Sequence, residues 1–279
     1  MSRRPLVLIK GAGDLATGCA VRLVRSGFAV VMTEIGAPTA VRRTVAFSEA
    51  VHDGTVAVEG VRARLAPSPA EARRIARSGE AAVLVDPQGR ARTALAPAVI
   101  IDARMAKVNL GTARGEAPVV IGLGPGFTAG RDVDAVVETN RGHMLGAVIL
   151  EGQAEPNTGV PGEIGGHGAE RLLRAPAAGQ LRALRAIGDR VEAGAMVGEV
   201  EGQPVTSRIA GVLRGLLRDG SVVGAGQKIG DVDPRARPEH CFTVSDKARS
   251  VAGGVLEAIL HFRVRAAAEA RVSNSRSRS

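Results

Sequence analysis

The chain has 279 residues, with 37 Lys and Arg against 28 Asp and Glu, a formal charge of +9, no Trp or Tyr and five Phe, so its core must be aliphatic. Scattered arginines without aromatic stacking groups argue against nucleic acid despite the charge. Two distant cysteines, Cys19 and Cys241, exclude a disulfide framework and a zinc pattern and point to a reducing compartment. No apolar run reaches signal-peptide or bilayer length, so a cytoplasmic protein without a membrane partner is expected.

Residues 5–34 read as strand, glycine turn, helix and second strand. The unbroken apolar run at 6–9 suits a strand covered on both faces, because a parallel sheet between helices leaves no polar alternation. Gly11, Gly13 and Ala16 follow the spacing G-x-G-x-x-G/A, in which a tight turn, close approach to a pyrophosphate and helix packing each need a small residue. Leu15, Cys19 and Leu23 recur at helical spacing, and Gly27 sits where a left-handed stop belongs. Glu34 ends the second strand, where a ribose hydroxyl would be held. Asp14 would repel a phosphate there, and Lys10 is placed to offset it. Glycines that serve packing alone are the competing reading.

Arg42 and Arg43 follow, a guanidinium pair suited to a phosphate or to solvent, ahead of a helix at 47–52. Residues 55–66 alternate as a hairpin does, 69–77 read as a short helix, and 81–87 and 97–107 read as strands carrying Asp86 and Asp102. Ligands of open α/β sheets sit beyond the carboxyl ends of strands. Asp86, Asp102, Arg104 and Lys107 are therefore expected to ring one crevice with the glycine turn, a rim of salt bridges being the alternative. Residues 117–150 add strands at 119–121 and 135–138, a loop with Gly122, Gly124 and Gly126, and then the cluster Asn140, Arg141 and His143. His143, as a general acid/base or a metal ligand, and Asp102 are catalytic candidates. Residues 156–168, rich in Gly and Pro, are a linker or a ligand-covering loop.

From residue 174 an internal repeat begins: RAPAAGQLRALRAIGDRVEAGAMVGEVEG aligns without a gap onto TSRIAGVLRGLLRDGSVVGAGQKIGDVDP, 32 residues on. Gly179/Gly211, Leu181/Leu213, Arg182/Arg214 and Gly188/Gly220 are matched pairs. Each copy is expected to form half of a small sandwich. The pattern resembles the biotinyl/lipoyl barrel-sandwich, whose carriers bear a lysine on the joining hairpin. The equivalent stretch here, EGQPV at 201–205, has none, so neither biotin nor lipoate is expected and docking or homo-oligomerisation is the expected use. After it come Cys241 beside His240, a candidate for sulfur or selenium handling or else a buried structural thiol, and a helix capped by Ser245.

The expected architecture is α/β, a Rossmann-like parallel-sheet domain (1–170) followed by a small all-β barrel-sandwich domain built from the 32-residue tandem repeat (171–235). A strand–helix segment (236–264) and a disordered basic tail (265–279) complete it. With the glycine turn, the blocks VRRTVAFSEAV, DARMAKVNLGT, GLGPGFTAGRDVDAVVETNRGHMLGAVI, PNTGVPGEIGG and SDKARSVAGGVLEAIL resemble the selenium-dependent molybdenum hydroxylase system proteins over residues 6–260. The glycine-rich part is also similar to the Rossmann domain of xanthine dehydrogenase accessory proteins. The resemblance implies a maturation factor with a molybdenum hydroxylase as its target. Its ligand would be a nucleotide, NAD(P)-like, or the molybdenum cofactor, held by the residues above from Lys10 to Arg141, with no metal. The alternative is a free-standing NAD(P)-dependent oxidoreductase, in which Glu34 selects the ribose and His143 donates a proton.

Overall fold

The computed structural model describes residues 4–160 and 162–276, with side chains through residue 264. β1 (Leu6–Lys10) leads through the glycine turn into α1 (Asp14–Arg25) and β2 (Ala29–Glu34). Two 3-10 turns and the single-turn α2 (Ala50–Asp53) stand where one helix is expected over 47–52. The chain continues through β3 (Thr55–Val58), β4 (Val61–Leu65), α3 (Pro69–Ser78), β5 (Ala81–Val85), α4 (Ala91–Leu95) and β6 (Val99–Asp102). Next come β7 (Val119–Leu123), β8 (Thr128–Ala129), β9 (Ala135–Val137), β10 (Val148–Ile149) and β11 (Gly152–Gln153). The repeat region supplies β12 (Leu172–Arg174), β13 (Gly179–Ala183), β14 (Arg190–Val191) and β15 (Met196–Val200). It ends with β16 (Gln203–Thr206), β17 (Gly211–Leu216), β18 (Val222–Val223) and β19 (Lys228–Asp233), before the helix α5 (Asp246–Arg276). Residues 277–279 of the expected tail lie outside the described residues.

The larger layer is a nine-stranded sheet, in the order β10-β9-β7-β6-β1-β2-β5-β4-β3. The continuous apolar strands are explained by cover on both faces. Val7 and Ile9 join a core with Cys19 and Leu23 of α1 and Val251 and Val255 of α5, while Leu8 joins a second core with Ile75 of α3 and Leu95 of α4. Each such side chain taken from water contributes about 1.5–3 kcal/mol. Ser245 caps α5 by accepting from the Ala248 amide at 3.1 Å. Gly18 lets α5 lie tightly on α1, since a Cβ there would sit 2.8 Å from Ala248 Cβ.

Two features correct the expected plan of a parallel Rossmann-like sheet followed by a biotinyl/lipoyl-like barrel-sandwich. The sheet is mixed. Its inner pairings are parallel, but β4 against β3 and β9 against β10 are antiparallel, closing both edges with antiparallel pairs. At one edge the link is only Glu59 and Gly60, both at positive φ, and two residues can join antiparallel neighbours but cannot make a parallel crossover. The repeat copies, in turn, do not form separate halves. Their strands exchange, so that β14 of the first copy pairs with β17 of the second, and β18 of the second pairs with β13 of the first. The resulting four-stranded sheets, β12-β19-β17-β14 and β16-β15-β13-β18, each mix both copies and enclose their own core of Leu181, Val200, Val212 and Leu213. This module is inserted between β11 and α5, and α5 returns to cover the large sheet.

Candidate functional site

The glycine turn is held from within. Gly11, at φ +96°, passes so close to the end of β6 that a Cβ would meet the Ala103 carbonyl oxygen at 3.1 Å. Glu34, the expected ribose acid, spends both oxygens on backbone amides: Ala12 N donates to Oε2 and Ile35 N to Oε1, each at 2.8 Å. Ala16 is buried in the core, and only Gly13, whose missing Cβ meets nothing within 4 Å, opens outward.

The single crevice expected from the sequence divides in two. A smaller cavity of about 370 Å³ beyond β1, β2 and β5 is lined by Lys10, Asp86 and Arg104. Its charges are satisfied locally. Lys10 Nζ donates to Thr112 Oγ1 at 2.7 Å and to Glu116 at 2.6 Å, while Asp86 accepts from the Arg90 and Ala91 amides at the head of α4. Asp102 lies beneath, buried. Burial opposes its charge, but hydrogen bonds from Arg104 and Thr112 outweigh that and hold the carboxyl below the usual range.

The larger cleft, about 700 Å³, lies between the sheet and the repeat module. Its walls are the first turn of α1 (Gly13, Asp14, Leu15), the loops carrying Lys107, Asn140 and Arg141, the start of α5 and the module face bearing Arg171, Arg174, Arg214 and Lys228. Residues 155–160, 162 and 164, from the Gly- and Pro-rich loop, also line it at its mouth. Eight Lys and Arg side chains face three carboxylates, Asp14, Glu155 and Asp231. Gly124 and Gly126 serve close packing instead: Cβ atoms would lie 2.3 Å from Thr139 Oγ1 and 2.8 Å from Val108 N.

Three of these guanidinium groups are buried. Arg42 is 9% exposed and ties the layers together, donating to Asp14 Oδ2 at 2.8 Å and to the His240 and Thr243 carbonyls, while Arg43 Nε reaches the Leu216 carbonyl. Arg171, 9% exposed, donates to Asp231 Oδ2 at 3.1 Å. Arg214, 5% exposed, approaches only one carboxylate among the described residues, Asp233 Oδ2 at 3.5 Å. Burial, with Arg42 next in importance, pulls its pKa below the usual arginine range. The Nε atoms of all three, and one oxygen each of Asp14 and Asp231, are buried without a hydrogen-bond partner among the described residues. Leaving such groups unpaired costs about 1–3 kcal/mol each.

At the cleft's edge Arg141 grips Asp246 of α5 with two hydrogen bonds, 2.7 and 2.9 Å, and these hold the Asp246 carboxyl well below the usual range. A depressed carboxyl stabilises the fold above its unfolded pKa, about 3.9, and that contribution is lost as pH falls through the folded value. Asp246→Asn should therefore melt lower than the parent at neutral pH, with the gap narrowing steadily as pH falls below about 4. A gap independent of pH in thermal melts would show that the pair does not set it.

His143 is exposed and lines neither cavity. Cys241 is buried in the module core with Sγ 3.8 Å from the Leu213 carbonyl, and burial raises its pKa, as it does that of Cys19, which is pushed up to about 12. Neither thiol is a ready nucleophile. Among the described residues no three His, Cys, Asp or Glu converge as metal ligands, and no helix is long and apolar enough to cross a membrane. The module arginines and Lys247 were not among the candidates from sequence. The signal that could have found Lys247 is that the chain holds only four lysines, at 10, 107, 228 and 247.

No family model matches the chain. It is 50% identical over 259 residues to the uncharacterized protein YqeB of Escherichia coli (strain K12), an alignment covering 93% of this chain and 48% of that protein. The chain thus spans about half the length of the curated relative it matches. Solved structures brought up by shape include an aspartoacylase family protein from Mesorhizobium loti, at TM-score 0.27 and 12% identity over 82% of this chain and 85% of that one. Another is a succinylglutamate desuccinylase/aspartoacylase from Rhodobacter sphaeroides, at TM-score 0.25 and 14% identity over 81% and 86%. Those activities are the neighbours' own. The expected membership of a selenium-dependent molybdenum hydroxylase system, and with it the maturation role, is corrected: the relative that is 50% identical bears no such name. The NAD(P)-oxidoreductase alternative is corrected on the same finding, and Glu34, closed onto the glycine turn, gives the physical reason.

Proposed function

We propose that this protein binds a small polyanion, carrying phosphate or carboxylate groups, in the cleft between the sheet and the repeat module. The observation that carries this reading is Arg214, a buried guanidinium that reaches one carboxylate only distantly and lines a cleft where cations outnumber acids. An anion entering there meets donors already desolvated and held in place, so each hydrogen bond to it is worth more than one formed in water. Gly13 and the first turn of α1 add backbone amides and the positive end of the helix dipole. Lys107, Asn140 and Arg141 complete the opposite wall, and the loop along the mouth shields the ligand from water.

Calorimetric titration of the full chain with pyrophosphate, and separately with citrate, tests this. Saturable binding of one anion per chain, weakening as salt rises, is the expected result. Flat titrations with both anions at low ionic strength would defeat the reading.

A further inference from the structure

The chain uses arginine almost wherever it needs a positive charge and keeps lysine at four positions. Three of the four, Lys107, Lys228 and Lys247, line the cleft. The fourth, Lys10, is consumed by its contact with Glu116 at 2.6 Å. Charge alone does not require this choice, because the same cleft also employs five arginines. What lysine offers and arginine cannot is an amine that gives up its proton and attacks an electrophile.

Lys247 is the best placed of the three. It sits in the first turn of α5, half-buried, and forms no ion pair within 4.0 Å among the described residues. The neighbouring carboxylate, Asp246, is turned away onto Arg141. Burial first, and then the like charge of Arg141, hold the amine below the usual lysine range, against the weaker opposing pull of Asp14 and Glu138. The positive end of α5 acts in the same direction. Lys107 and Lys228 are exposed at the rim, although burial of its amine also holds Lys228 below the usual lysine range.

We infer that Lys247 captures a carbonyl compound bearing an anionic group, forming an imine while the buried arginines hold the anion. This rests on the polyanion reading of the same cleft. The neutral amine adds to the carbonyl carbon, one N–H hydrogen passes to the carbonyl oxygen, and the second leaves with that oxygen as water when the C=N bond forms. No oxidant or reductant is needed, and hydrolysis reverses the step.

The test uses pyridoxal 5′-phosphate as a phosphate-bearing aldehyde, trapped with borohydride and located by peptide mass spectrometry. The expected result is one adduct per chain, on Lys247, labelled in clear preference to any other lysine, because of the three cleft lysines it alone is half-buried beside the arginines that would hold the phosphate. Pyrophosphate should suppress it, and pyridoxal without its phosphate should label far more slowly. Lys247→Arg, which keeps the charge and removes the nucleophile, should lose the adduct while its melting curve shows an intact fold. Labelling spread evenly over Lys107, Lys228 and Lys247, or retained in Lys247→Arg, would overturn the inference. The two readings fail separately: wild-type protein that binds pyrophosphate but gives no selective adduct defeats the imine alone, whereas no pyrophosphate binding defeats the cleft reading beneath it.

Discussion

Arg214→Met should leave the protein at least as stable as the parent while lowering its affinity for pyrophosphate on the order of tenfold to a hundredfold, the equivalent of about 1.5–3 kcal/mol for a hydrogen bond to a charged group. The two effects have one cause. Arg214 is desolvated by burial and repelled by the like charge of Arg42, and among the described residues its only carboxylate contact is 3.5 Å long. Without ligand, the cost of burying the charge exceeds what the contact returns, and replacing such a group with an apolar side chain of similar volume is commonly neutral or stabilising by about 1–4 kcal/mol. Nor does the change strand an acid. Asp233 keeps Arg235, whose Nε and Nη2 donate at 2.9 and 2.6 Å, and Asp231 keeps Arg171. Thermal melts with and without pyrophosphate separate the outcomes. A variant that melts markedly lower yet binds as well as the parent would show that Arg214 is a structural ion and nothing more.

The second large effect concerns neighbouring glycines in α5. Alanine is preferred to glycine inside a helix by about 1 kcal/mol, so propensity alone would have both Gly253→Ala and Gly254→Ala stabilise. The surroundings separate them. At Gly253 the nearest atom to a new Cβ is Arg22 Nη1, 3.8 Å away, and the gain should survive as a rise of about 2 °C in melting temperature. At Gly254 the Cβ would lie 2.1 Å from the Gly146 carbonyl oxygen and 2.9 Å from Val137 Cγ1. Backbone cannot rotate aside as a long side chain can, and overpacking of this kind costs about 1–3 kcal/mol or more, enough to reverse the sign. Equal melting temperatures for the two variants would mean that α5 does not cross the β9–β10 loop as closely as described.

Much of the local structure was legible without coordinates. The apolar run in β1, the stop at Gly27, the hairpin over β3 and β4 and the cap at Ser245 all follow from short-range stereochemistry, so a few adjacent residues suffice to state them. The other edge of the large sheet, β9 against β10, was not legible, because strand direction there depends on which distant strand the returning chain meets. The crevice expected around Asp86, Asp102, Arg104 and Lys107 came together only in part, with Asp86 and Arg104 lining one cavity, for a similar reason. Those residues do lie past strand ends, but β6 stops at Asp102, and positive φ at Met105 and Lys107 turns the chain away, sending Lys107 to a different cleft.

The repeat shows where sequence ends and tertiary structure begins. By itself the sequence determined that Arg182 and Arg214 occupy equivalent positions, each with an acid at matching distance, Glu199 and Asp231. Local chemistry would give both the same ion pair. In the first copy it forms at the surface, Arg182 Nη1 to Glu199 Oε1 at 2.9 Å. In the second copy Arg171 takes Asp231, while Arg43 bonds to the Leu216 carbonyl and Val41 presses on Gly215, sealing that face against the sheet layer. Arg214 is left buried with its donors unspent. Only the tertiary structure decided this, because a side chain's solvation is set by whatever the fold lays over it, and here that cover comes from a segment more than a hundred residues away in the chain.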